Sequence, residues 1–209
     1  MTDKRLRASY GWSIVRLFKT GKVLLIISLF MIMMLYGFSA AALNTDADKK
    51  KLAAYKIKAA YLYNFAKFVE WPAEAFTDPS LPLSICIVGE DPFGDALDTI
   101  KDKNVKSRKL EIRQHAGNSE LKECHILFIS PSEKKNLADI LEMTKDRHIL
   151  TVSDMKKFAD HGGMIYMNKA KNKIRLEINH EAAKHSGLNM SSKLLKISKI
   201  IKGYLYKRS

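Results

Sequence analysis

Two cysteines and six histidines are the side chains in this sequence most able to carry out chemistry, because thiolates and imidazoles act as nucleophiles, bases and metal ligands. The cysteines, Cys86 and Cys124, lie in two separate apolar runs. No pair of histidines has the H-x-x-x-H or H-E-x-x-H spacing that would place both rings on one face of a helix. We therefore expect neither a metal ion nor a cofactor. The histidines are His115, His125, His148, His161, His180 and His185.

Two glycine-containing motifs resemble catalytic or nucleotide-binding loops but lack the residues that would complete them. Gly89 to Gly94 lies between a strand pattern and a helix pattern, yet it has no P-loop Lys-Ser/Thr and carries two acids where a phosphate would sit. Gly162 and Gly163 follow His161, but no G-x-S-x-G motif accompanies them. We interpret the first motif as a turn and expect the second to supply positive φ angles. The sequence predicts a protein that is not an enzyme.

Four lysines recur every third residue near the C-terminus: Lys193, Lys196, Lys199 and Lys202. We predict a helix from Ser191 to Tyr206 with these lysines on one face and leucine and isoleucine on the other. Most charge runs of this kind are simply solvated. The alternative is that the lysine face provides electrostatic steering toward a partner, while Arg175 and the aromatic helix around Trp71 supply specific contacts.

An amphipathic helix is predicted before Trp71 and Pro72. Its apolar stripe comprises Ile57, Tyr61, Phe65 and Phe68. Asn64 shares that face, so we expect it to be partly buried and hydrogen-bonded to a neighbouring loop. Pro72 disfavours the α conformation at Trp71 and should end the helix.

Short apolar runs and helical patterns alternate after this helix. Strands are predicted at residues 83–89, 109–115, 124–129 and 149–152, and helices at 96–100 and 132–146. Asp154 is a candidate N-cap for a short helix through Phe158. Two alternating runs around residues 168–172 predict a β-hairpin, followed by a helix over 181–185. The predicted fold is a single α/β domain with a mostly parallel sheet flanked by helices, a C-terminal β-hairpin and a terminal helix.

The first 42 residues resemble an export signal. Six basic residues precede an uncharged run from Val23 to Phe38, which is followed by Ser39 and three alanines. A basic start, an apolar stretch and small residues at the exit are the three parts of a secretory signal. We predict cleavage after Ala42 and a periplasmic mature protein. An uncleaved membrane anchor is the alternative, because the run approaches the roughly 20 residues that span a bilayer.

The predicted mature chain is strongly basic. It keeps 30 basic and 21 acidic residues, a net charge of +9. No nucleic-acid recognition motif is present, and an exported protein rarely meets nucleic acid, so an acidic partner or an anionic membrane surface fits the charge better. Export also permits a disulfide between Cys86 and Cys124, although two unpaired buried thiols on neighbouring strands remain the alternative.

A series of motifs makes the chain similar to the YfiR-like periplasmic proteins, in the same order as in that family. The series covers about Lys56 to Ile201 and comprises Lys58–Pro72, Ile85–Gly94, Phe158–Ile165, Ile174–Asn179 and Ala182–Leu195. The resemblance marks nine family-motif residues as structural: Asn64, Trp71, Pro72, Gly89, Gly162, Gly163, Arg175, Glu177 and Asn179.

The resemblance implies a periplasmic regulator whose best-known relatives restrain a membrane diguanylate cyclase by binding its periplasmic sensor portion. It also implies that Cys86 and Cys124 form one of the family's two bridges. The second cysteine pair of some members is absent here, so redox switching through that pair is not expected. A small-ligand receptor that feeds a transporter or a sensor kinase is the alternative function.

The sequence thus predicts four segments: a signal peptide at 1–42, a linker at 43–55, the α/β domain at 56–204 and a basic tail at 205–209. The expected partner is a membrane sensor protein, with an anionic membrane surface and a second copy of the chain as further candidates. No nucleic-acid partner is expected.

Overall fold

The computed structural model describes residues 8–78, 80–114, 120–170 and 173–202. The chain divides into two compact units, Met1–Lys51 and Leu52–Ser209. The predicted basic tail and the first residues of the predicted signal lie outside the described residues. The division into signal, linker, domain and tail therefore stays a prediction.

The helices and strands alternate along the second unit. The helices are α1 (Ala8–Phe68), α2 (Leu137–Thr144), α3 (His180–His185) and α4 (Ser192–Lys196). Short 3-10 helices occupy Ala73–Ala75, Gly94–Thr99, Glu120–Glu123 and Pro131–Lys135. The strands are β1 (Val69–Glu70), β2 (Leu83–Val88), β3 (Asn104–Val105), β4 (Arg108–Arg113), β5 (Ile126–Ile129), β6 (Leu150–Ser153), β7 (Ile165–Ala170), β8 (Lys173–Asn179), β9 (Asn189–Met190) and β10 (Ser198–Ile201).

Helix α1 begins in the first unit, where the side chains from Leu24 to Met33 are exposed. Among the described residues, no helix combines the length and the apolar character that a membrane crossing requires.

Eight strands form one mixed sheet in the order β10-β8-β7-β6-β5-β2-β4-β3. Strands β4, β2, β5, β6 and β7 are mutually parallel, and β8 returns antiparallel to β7 as the predicted hairpin. The order of the parallel strands is that of a doubly wound α/β sheet, in which the strand order reverses between β2 and β5. The predicted fold class is confirmed.

Both faces of the central strands are buried, which is why those strands appear in the sequence as continuous apolar runs. Ile85 and Ile87 of β2 point to one side, and Cys86 and Val88 point to the other. Helix α1 covers the first side and α2 covers the second. Two hydrophobic layers therefore enclose the sheet.

The buried stripe of α1 is rotated from the predicted one. Ile57 is 47% exposed, whereas Ala59, Leu62, Phe65 and Ala66 are fully buried. The two alanines have no bulk beyond Cβ, so this face approaches the sheet more closely than a face with Ile57 could. The helix ends at Phe68, two residues before the predicted end at Glu70, because Val69 and Glu70 pair with β9 as strand β1.

The predicted C-terminal helix from Ser191 to Tyr206 is wrong. Helix α4 is capped by Ser191, whose Oγ accepts a hydrogen bond from the N–H of Leu194, and it ends at Lys196. Ile197 to Ile201 is rich in β-branched residues, and β8 offers an unpaired edge, so the chain joins the sheet as β10.

Two other helix predictions also need correction. Residues 132–146 fold as a 3-10 helix, Pro131–Lys135, followed by α2, because Pro131 starts the first turn and Asn136 leaves α geometry. The segment after Asp154 forms turns and not a helix. Ser153 Oγ accepts the hydrogen bond from the N–H of Met155, so Asp154 is not the cap.

Candidate functional site

The carboxyl ends of β2, β5 and β6 bring polar side chains to one edge of the sheet, where doubly wound folds place their functional groups. Gly89 follows β2 with φ +86°, and a Cβ atom there would lie 2.4 Å from Oγ of Ser132, which follows β5. That hydroxyl accepts a hydrogen bond from the N–H of Glu90 at 2.9 Å. Gly89 is therefore required by a tight turn, as predicted, and the turn is closed by a hydroxyl.

A buried ion pair joins α1 to this edge. Nζ of Lys58 contacts Oδ2 of Asp154, and the two side chains are only 6% and 10% exposed. The hydroxyl of Tyr55 donates to the same oxygen at 2.9 Å. The ring of Tyr55 packs edge-on against Phe93, with the centroids 5.1 Å apart. We call Tyr55, Lys58 and Asp154 the clasp.

The electrostatics of the clasp keep the tyrosine protonated. Burial, followed by the negative charge of Asp154 and the hydrogen bond to it, raises the pKa of Tyr55 well above its usual value. A neutral phenol beside a paired lysine and carboxylate is a donor and not a nucleophile. The arrangement is suited to holding α1 against the sheet. Sequence analysis missed this role, although a lone acid directly after the buried strand β6 was the available signal.

The glycines and asparagine before and after the hairpin have structural roles. Gly162 has φ +98°, as predicted. Gly163 does not have the predicted positive φ; it is needed because a Cβ atom there would lie 2.2 Å from the ring of Phe158. Asn179 is fully buried and caps α3, since its Oδ1 accepts from the N–H of Ala182 and its Nδ2 donates to the carbonyl of Ala159.

The disulfide between Cys86 and Cys124 is present, and its Cα atoms are 5.8 Å apart. Cys86 lies on β2, and Cys124 lies just before β5, the parallel neighbour of β2. The predicted bridge is therefore confirmed as a link between adjacent strands. Both residues are buried, so the bridge is part of the core behind α2.

A cleft of about 660 Å³ opens at the opposite, amino edge of the sheet, next to the disulfide. Its polar lining has both signs of charge, with Arg113, Lys122 and Arg147 against Glu123 and Asp146. Clefts that take small molecules typically measure roughly 300 to 1,000 Å³. Sequence analysis did not predict this cleft, because its wall is assembled from segments far apart in the chain.

His125 forms part of that wall and is held neutral. Burial lowers its pKa to about 4. Its Nδ1 accepts from the N–H of Ser84 at 3.1 Å, which makes Nε2 the protonated nitrogen that donates to the carbonyl of Ala75 at 3.2 Å. The ring also stacks on Phe76, with the centroids 4.3 Å apart. This histidine fixes the loop before β2 instead of serving as a base.

Trp71 and Pro72 follow β1 and are half-buried. The indole N–H of Trp71 donates to the carbonyl of His125 at 3.3 Å. Trp71 also lines a second cleft of about 250 Å³ together with Lys106 and Arg108. Asn64, one helical turn before Phe68, is half-buried as well.

The candidate interaction residues do not share a helix face. Lys193 and Lys196 lie on α4, Lys199 lies on β10 and Lys202 follows that strand. All four are exposed, as is Arg175 on β8. Lys199 is in register with the half-buried Glu177 of β8. Arg175 lies two residues before Glu177 and so shares its face of the sheet. The structure therefore brings Lys199 and Arg175 close together on two adjacent strands.

Among the described residues, no group of three or more His, Cys, Asp or Glu side chains is placed to hold a metal ion. A comparison with curated proteins finds no match to this chain. The model of one protein family, described as YfiR/HmsC-like, matches residues 55–199. That range begins at the clasp tyrosine and runs into β10, so it spans the sheet, both clefts and the disulfide. The chain belongs to the YfiR/HmsC-like family.

Proposed function

We propose that this protein is a periplasmic regulatory binding protein that restrains a membrane-bound diguanylate cyclase by holding the periplasmic sensor portion of that enzyme. The observation that carries the proposal is the family match over residues 55–199, which takes in nearly all of the second unit. Proteins of the YfiR/HmsC-like family are periplasmic regulators of membrane-bound partners.

Three features of the chain support this role. The basic start and apolar run of the first 42 residues fit export. The disulfide fits an oxidising compartment. Lys58 is ion-paired with Asp154, and His125 is hydrogen-bonded to neighbouring groups of the fold, which favours binding over catalysis.

The test is a deletion strain in which cyclic-di-GMP is measured by mass spectrometry. Loss of the protein should raise cyclic-di-GMP, and the full-length chain should restore the original level. A chain lacking residues 1–42 serves as the matched control, because it keeps the folded unit but stays in the cytoplasm. Unchanged cyclic-di-GMP in the deletion strain, or full complementation by the cytoplasmic form, would contradict the proposal.

The cleft at the amino edge favours a second candidate, a periplasmic receptor for a small polar ligand that feeds a transporter or a sensor kinase. Its volume of about 660 Å³ and its mixed charges suit such a molecule. A thermal-shift screen against charged metabolites separates the candidates: a ligand at 100 times its Kd stabilises the fold by roughly 2.7 kcal/mol. A receptor should also lose that shift when Arg147 is changed to Ser.

A further inference from the structure

Strand β10 forms one end of the eight-stranded sheet. It pairs with β8 on one side, and no described strand pairs with its other side. An edge strand presents unpaired N–H and C=O groups that can accept another strand. Native proteins often place charged residues on edge strands to prevent unwanted pairing, and β10 carries one such residue, Lys199. An exposed apolar residue does not serve that purpose, yet β10 also has one.

Ile200 of β10 is 48% exposed, and Ile197, the C-cap of α4 just before the strand, is 68% exposed. Ile200 is in register with the buried Ile178 of β8, so its side chain continues the apolar row of the sheet into solvent. A strand added beside β10 would cover Ile200 and extend that row. In strand addition the main-chain hydrogen bonds give affinity, and contacts of alternate side chains give specificity.

The exposed charges of β10 and its flanking residues are all positive, and the nearest acid, Glu177 of β8, is half-buried opposite Lys199. Residues 192–202 contain four lysines and no acid, and all four lysines are exposed. Arg175 adds a further exposed positive charge on β8. Two copies of this edge placed side by side would bring like charges together, which is destabilising. A segment with acidic side chains would instead meet complementary charge.

We propose that β10 binds an acidic extended segment of the membrane sensor protein, which joins the sheet as an additional strand and covers Ile200. The inference rests on the proposed function, because it assumes that such a sensor is the partner. The main-chain hydrogen bonds of the added strand supply affinity, and the lysines select the partner by charge and speed the encounter.

The first experiment measures binding to inner-membrane vesicles prepared from cells that lack this protein. Changing Lys196 and Lys199 together to Glu should weaken binding by roughly tenfold at low salt, with a smaller difference at 0.5 M salt. The matched control changes Lys134 and Lys135 to Glu, an equal charge change on an exposed 3-10 helix elsewhere in the fold. Thermal unfolding must show that both variants stay folded.

The second experiment places a photo-crosslinking amino acid at Ile200, and at Met143 on α2 as an exposed control. The expected result is a crosslink from position 200 to an acidic segment of a membrane sensor protein, with none from position 143. A crosslink to a second copy of the chain overturns the acidic partner. Binding that survives protease treatment of the vesicles assigns the surface to lipid and also overturns it.

The two proposals fail in different ways. If the wild-type chain binds the vesicles and lowers cyclic-di-GMP but neither Ile200 nor the lysines matter, the edge proposal is wrong and the regulatory function stands. If the chain neither binds the vesicles nor affects cyclic-di-GMP, both proposals are wrong.

Discussion

Breaking the clasp should destabilise the protein strongly. The Lys58→Met change removes the positive charge and leaves the carboxylate of Asp154, which is 10% exposed, without its cation. Removing one partner of a buried ion pair costs about 3 to 5 kcal/mol, because the remaining charge is neither hydrated nor paired. Tyr55 still donates one hydrogen bond to Asp154, which places the expected loss toward the lower end of that range.

The assays are urea unfolding and thermal unfolding of the purified protein, both followed by circular dichroism. A loss of about 3 kcal/mol in a unit of this size lowers Tm by roughly 6 to 12 °C. The double variant Lys58→Met, Asp154→Leu should recover most of the loss, since apolar side chains of similar volume replace buried pairs at little cost.

The pair of Lys184 and Glu181 provides the control. Its atoms approach to 3.0 Å, but both side chains are exposed, so Lys184→Met should cost less than about 1 kcal/mol. If Lys58→Met costs no more than Lys184→Met, the clasp is hydrated in solution and does not hold α1 to the sheet.

Three further predictions concern the rest of the chain. The pKa of His125 is lowered to about 4 in the folded protein, against 6.5 in the unfolded chain. The contribution of His125 to the free energy of unfolding is therefore fully present above pH 6.5 and falls by on the order of 3 kcal/mol as the pH drops to 4. His125→Gln should flatten this pH dependence, measured by urea unfolding. Thiol labelling of denatured, unreduced protein should find neither Cys86 nor Cys124 free, and two labelled cysteines would contradict the bridge. N-terminal sequencing of the native protein should begin near Leu43, and a full-length cytosolic chain would refute export.

The central sheet could be predicted from the sequence because its signals are local. Short apolar runs such as Ile85 to Val88 are buried on both faces, and the alternating runs from Ile165 to Asn179 could pair only as a hairpin. The Cys86–Cys124 bridge followed once β2 and the strand after Cys124 were taken as neighbours. Gly89 and Gly162 could be interpreted correctly from the sequence, because glycine is the residue that adopts a positive φ at no steric cost.

The end of the chain could not be predicted in this way. The lysine spacing from Lys193 to Lys202 is compatible with a helix, and residues 198–201 form a strand only because β8 has an unpaired edge beside them. The three-residue spacing of the lysines depends only on the local sequence. Whether the segment can pair as a strand depends on a free sheet edge, which the local sequence does not show.

The sequence by itself determined the α/β class, the basic charge and the family, since each of these depends on composition or on motifs read in order. Tertiary structure decided which groups meet. Lys58 and Asp154 are 96 residues apart, and their pairing exists only because α1 lies over the carboxyl end of β6. The amino-edge cleft and the exposed edge of β10 have the same origin, because burial and exposure depend on neighbours that only the folded chain supplies.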